Sequence, residues 1–98
     1  MAEIAEYVTA GARLLDEKKP GWHKKVKITT LDVADGGQCP LGQLYTTYWA
    51  GRDSLDLNVI GSYRHGFVAS GRHDVNIDEE YRELTRLWKD EIRARRAK

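Results

Sequence analysis

The apolar positions of this chain switch between helical spacing and short stretches of alternation. Ile4, Val8, Gly11/Ala12 and Leu15 recur at three- and four-residue intervals, flanked by Tyr7 and Leu14. That spacing puts them on one face of a helix over residues 3–18. Glu3 and Glu6 stand early and Lys18 and Lys19 late, which complements the helix dipole. An interior glycine costs about 1 kcal/mol against alanine. Gly11 on the apolar face therefore predicts close approach by a neighbouring element. Pro20-Gly21 ends the helix. At the other end of the chain, Ile77, Tyr81, Leu84, Trp88 and Ile92 form a second stripe, which predicts a long helix over 77–97. Asn76 suits its N-cap, with Glu79 three residues on. Asp78, Glu79 and Glu80 open this helix, and Arg93, Arg95, Arg96 and Lys98 close it.

Between the two lies CPLGQLYTTYWAG, residues 39–51. Leu41, Leu44, Tyr45 and Tyr48 share a helical face, and Trp49 lies beside it. Pro40 suits the first helical position, Cys39 the N-cap and Gly51 the stop, after a turn at Asp35-Gly36-Gly37. One short helix over 40–50 is expected. Gly42, Thr46 and Thr47 favour it poorly, and a helix of this length is marginal alone in water. It is therefore placed at the centre, with the terminal helices packed on it.

Alternation marks the remaining segments. Trp22 is a core anchor, in one helical turn or an extended lead-in. Val26 and Ile28 alternate with lysines, which suggests a short strand through Thr30; Leu31 and Val33 point inward. Leu55, Leu57 and Val59 alternate with Asp56 and Asn58, a second strand signal. Residues 52–76 are otherwise irregular, punctuated by Gly61, Gly66 and Gly71, with Phe67 and Val68 returning to the core. Connections of this length often carry function, so a site involving Ser62 to His73 is expected. The reading is a mainly α single domain over 1–98, or α+β if a short hairpin forms.

Composition narrows the function classes. A net charge of +1 gives no overall field toward nucleic acid or an anionic membrane. The single cysteine cannot form an internal disulfide, which fits a reducing compartment. No apolar run approaches the roughly 20 residues that cross a bilayer. Acids stand in the N-terminal stretch where a signal peptide carries cations. A soluble, cytoplasmic protein with no membrane partner is expected.

The charge is nevertheless segregated. Residues 16–27 hold five lysines against two acids, residues 91–98 four bases against one acid, and residues 28–60 four acids against one base. If the two basic ends meet, Lys24, Lys25, Lys27, Arg93, Arg95 and Arg96 would form one patch able to contact phosphates, with Trp22 and His23 beside it. The plainer reading is solvated helix ends that balance their dipoles. Segregated charge orients a protein partner as readily as a nucleic acid. Tyr45, Tyr48 and Trp49 cannot all be buried by one helix, so at least one would line a groove or an interface. Leu87 and these aromatics would also suit a homodimer.

Chemistry-bearing motifs are sparse. Cys39 at a helix N-terminus is a candidate thiolate, with His65 or His73 as the candidate base. The plainer reading is a small buried residue. Cys39, Gln43 and His65 together make a candidate polar site at the central helix. The histidines show no CxxC or HxxxH spacing, and no nucleotide or hydrolase motif occurs, so neither a metal nor another cofactor is expected.

One set of residues carries a resemblance. Pro20-Gly21-Trp22, Leu31-Asp32, Cys39-Pro40-Leu41-Gly42-Gln43-Leu44, Tyr48-Trp49, Gly66-Phe67, and Tyr81, Leu84, Thr85, Trp88 and Ile92 occur in that order. The pattern resembles a group of small uncharacterised proteins encoded by actinobacteria and their phages, and spans most of residues 12–96. The resemblance implies a phage or prophage accessory role inside a bacterial cell and no particular activity. Its residues are mainly apolar or turn-forming, as a shared fold requires; Gln43 and Asp32 are the polar exceptions. The function expected is a non-enzymatic interaction protein that binds a bacterial host protein. The alternative is a small nucleic-acid-binding protein using residues 18–27 and 93–98.

Overall fold

The computed structural model describes residues 2–70 and 76–97. Helix α1 spans Ala2–Lys18 and α2 Trp22–Lys25, followed by a 3-10 turn at Ile28–Thr30. Helices α3 (Pro40–Tyr45), α4 (Tyr48–Ser54), α5 (Val59–Arg64) and α6 (Ile77–Arg96) complete the chain. The fold is mainly α, and no strand occurs among the described residues.

The two long helices pack on each other, with α5 against α1, α2 against α6 and α3 against both α2 and α4. Ile4, Val8, Ala12 and Leu15 of α1 are buried, as are Leu84, Trp88 and Ile92 of α6, so both expected stripes face one core. Trp22, Trp88 and Phe67 fill its middle. Trp22 meets Trp88 edge to face at 5.7 Å between centroids, and Phe67 stacks on Trp88 at 5.2 Å. Each buried tryptophan removes about 150–250 Å2 from water, worth roughly 4–6 kcal/mol of transfer free energy at 25 cal/mol per Å2. Their ring N–H groups are satisfied: Trp88 Nε1 donates to Gly66 O at 2.7 Å and Trp22 Nε1 to Asp16 at 2.8 Å.

Gly11 behaves as its position on the apolar face predicts. A Cβ there would overlap the carbonyl oxygen of His65 and press on Trp88, so the end of α5 crosses α1 at that point. Gly66, at φ +72°, lies against Val8 where a side chain would collide.

Four expectations are corrected. The single helix over 40–50 is two helices. Thr46 leaves the helical region at φ 82°, and the Thr47 side chain caps α4 by accepting from Ala50 N at 3.0 Å. The break folds α4 back on α3, and Gly51 admits the contact with Leu41 and Tyr45.

The alternation at 26–30 is not a strand. The Gln43 side chain accepts from Lys27 N at 2.7 Å and donates to Lys27 O at 3.2 Å, satisfying the groups a neighbouring strand would otherwise pair. Leu55–Val59 is also not a strand. Asp56 turns the chain at φ 56°, and Asn58 caps α5 by accepting from Gly61 N at 2.6 Å. Finally, Ile77 is 48% exposed. The buried position in that first turn belongs to Glu80, which accepts from Ser70 N and Oγ at 2.9 Å each.

Candidate functional site

Four separate segments line an open apolar groove of about 360 Å3. It is lined by Val33 and Ala34 of the 31–39 loop, Tyr48 and Trp49 of α4, Phe67 and Val68, and Tyr81 of α6. Each position follows from its local structure. The 31–39 loop is held by Asx turns, with Asp32 accepting from Ala34 N at 3.0 Å and Asp35 from Gly37 N at 2.8 Å. The Thr85 hydroxyl accepts from Val33 N at 3.0 Å and ties that loop to α6. The Tyr48 hydroxyl and the buried Ser62 hydroxyl lie 2.6 Å apart, which fixes α4 against α5. Trp49, on the lip, is 64% exposed, with the Arg52 guanidinium 4.8 Å over its ring. No lining residue carries a charge.

The candidate polar site is held by structural bonds. Cys39 is the α3 N-cap, and its sulfur accepts from Gly42 N at 3.2 Å. Burial pushes its thiol above the ordinary value, and the backbone amides only partly oppose that. The thiolate is therefore disfavoured, the reverse of what an activated nucleophile needs. Gln43 carries a third bond, donating to Gln38 O at 3.0 Å, and so joins the 22–30 and 31–39 segments. His65 caps the end of α5, where its Nδ1 donates to Gly61 O at 2.7 Å, and its ring stacks on Phe67. No side-chain hydrogen bond joins Cys39 to Gln43 or His65. His73 lies outside the described residues, and no cluster of three metal-ligand side chains occurs among those described.

The two basic segments do meet. Arg96 donates to His23 O at 2.9 Å and to Val26 O, so the end of α6 grips α2. Lys24, Lys25 and Lys27 are exposed beside it, and Arg93 is exposed 3.7 Å from Asp90. Arg95 is turned inward and leaves the patch. It donates to both Asp16 oxygens, at 3.0 and 2.7 Å, and to Glu91 at 2.6 Å, and its guanidinium lies 5.5 Å from the Trp22 centroid. Glu91 in turn accepts from Thr9 at 3.0 Å, so Arg95 bolts α1 to α6. Its hydrogen bonds hold the Asp16 carboxyl below the usual carboxylate value.

Sequence reasoning missed Arg82, Arg86 and Lys89. They line a shallow cavity of about 560 Å3 with Thr29, Thr30, Leu31, Asp32 and Thr85. The signal was present as a regular spacing of cations that continues to Arg93 and Arg96.

Comparison with protein-family models, curated proteins and solved structures gives no match. Among the described residues no helix is long and apolar enough to cross a membrane.

Proposed function

We propose that this chain is a non-enzymatic interaction protein that docks another protein in the groove beside Trp49. The observation that carries the reading is Trp49 itself, 64% exposed on the lip of an apolar groove. Tryptophan and tyrosine at the edge of a pocket are what interfaces use as anchors. The groove admits one or two apolar side chains of a partner. Exposed acids are sequence neighbours of its lining: Asp35 stands between Ala34 and Gly36, and Asp78 and Glu79 precede Tyr81 on α6. The fitting occupant is therefore a protein segment that presents an apolar side chain flanked by lysine or arginine. The resemblance to phage and prophage proteins makes a bacterial host protein the natural partner. The structural engagement of Cys39, Gln43 and His65 supports a role without catalysis.

The test is an affinity pull-down from nuclease-treated bacterial lysate, with wild type and Trp49→Ala compared side by side and read by mass spectrometry. One dominant protein, recovered by wild type and lost with Trp49→Ala, is the expected result. The side chain is exposed, so the variant should keep the wild-type Tm. Equal recovery by the variant, or recovery only of nuclease-sensitive material, would refute the reading.

A further inference from the structure

Arg82, Arg86, Lys89, Arg93 and Arg96 follow one another at intervals of four, three, four and three residues. At about 100° per residue all five fall within an arc of roughly 80° on α6, and they extend about 21 Å along its axis. Arg82, Arg86, Arg93 and Arg96 are exposed, and Lys89 is half-buried beside Thr29 and Thr30. Trp88, Leu84 and Ile92 fix this orientation, because they hold in the core a face of the helix centred about 120° from the row.

Glu83 and Asp90 flank the row on α6, and Asp32 of the 31–39 loop lines the cavity shared with Arg82, Arg86 and Lys89. Asp90 lies 3.3 Å from Arg86 and 3.7 Å from Arg93, and Glu83 takes Arg86 in a paired hydrogen bond. Exposed ion pairs of this kind contribute up to about 1 kcal/mol, so a polyanion can displace them. Arg82 and Lys89 take part in no ion pair among the described residues. Beyond Arg96 the row continues onto Lys24, Lys25 and Lys27, because Arg96 fastens α2 to the helix end. The Thr29 and Thr30 side chains stand exposed along the same edge.

We infer that this face of α6 binds the phosphate backbone of a nucleic-acid duplex without reading its sequence. A straight row of cations suits a backbone that carries one charge per ~1.7 Å of axis. No aromatic side chain lies on the row, so it lacks the stacking platform that single strands require. No exposed apolar side chain lies on it either, so it lacks what an interfacial membrane helix buries. The inference deepens the nucleic-acid reading of the sequence. It moves the contact from the chain ends to the length of α6, and it is independent of the Trp49 groove.

Fluorescence anisotropy with a labelled 20-bp DNA duplex tests it. Four phosphate contacts, from Arg82, Arg86, Lys89 and Arg93, give a log–log salt slope of about −3.6, or roughly 50-fold weaker binding at 150 than at 50 mM salt. Arg82→Glu/Lys89→Glu should weaken binding more than tenfold at 50 mM. Arg13→Glu/Arg64→Glu, the same charge change on α1 and α5, should change it less than threefold, and Trp49→Ala should leave it unchanged. Absent or salt-insensitive binding would overturn the inference. So would equal loss in the two double variants, or tighter binding to single strands, polyglutamate or phosphatidylserine vesicles than to the duplex.

Discussion

Gly11→Ala separates two forces that act with opposite sign. In an exposed helix interior the change is favourable by about 0.8–1 kcal/mol, because alanine loses less backbone entropy than glycine. In this fold the new methyl group would sit on the His65 carbonyl oxygen and 3.0 Å from Trp88 Cζ2. Neither neighbour can give way easily. The carbonyl belongs to the main chain at the end of α5, and Trp88 is fully buried and bonded to Gly66 O. Overpacking of this kind costs about 1–3 kcal/mol. Because main chain must move, the upper half of that range applies, and the net effect is a loss of roughly 1–2 kcal/mol.

For a domain of this length each kcal/mol shifts Tm by about 4–8 °C. Gly11→Ala should therefore lower Tm by roughly 5–15 °C, measured by circular dichroism at neutral pH. A rise in Tm would mean that helix propensity outweighs the contact, and α5 would then not cross α1 at Gly11. A Trp88 fluorescence change accompanying the loss would place the strain at the crossing.

Two further predictions concern the site residues. The folded Asp16 carboxyl is depressed first by its hydrogen bonds to Arg95, so it contributes stability above the unfolded value of about 3.9 and loses it as pH falls through the lower folded value. The Tm of wild type should exceed that of Arg95→Met above pH 5, and the gap should narrow below pH 3; a gap independent of pH would refute the bolt between α1 and α6. Cys39 is buried and its thiol is raised by that burial, so alkylation by iodoacetamide at pH 8 should run orders of magnitude slower than in denatured protein. Labelling at the rate of a free thiol would restore the reactive-cysteine reading.

The terminal helices were legible because their signals are local. The N-cap at Asn76 accepts from Glu79 N at 3.2 Å, and the stripes lie on single elements. The central segment was legible only in part. Leu41 and Tyr48 keep an apolar rhythm across the break, but the rhythm carries no sign of the positive φ at Thr46. The alternation of Val26 and Ile28 reports one-sided burial, and an extended residue followed by a 3-10 turn produces that as readily as a strand does. What decides between them is Gln43, 16 residues away, whose amide takes the Lys27 backbone groups.

The same distinction separates the two candidate surfaces. The groove joins residues 33–34, 48–49, 67–68 and 81, which no spacing rule connects. Trp49 could be marked as surplus to a core, but its neighbours could not be named before the fold. The cation row lies on one helix, and its four-and-three spacing is as regular as that of the apolar stripe. It went unread because bases near a helix C-terminus already have an explanation in the dipole. That explanation covers Arg93 to Arg96, within the last turn, and fails for Arg82, Arg86 and Lys89, which lie farther inside the helix. Cations that continue on one face beyond the reach of the dipole need a different cause. We infer that on α6 this cause is the phosphate-binding role proposed above, because local ion pairing engages Arg86 and Arg93 while Arg82 and Lys89 take part in no ion pair among the described residues.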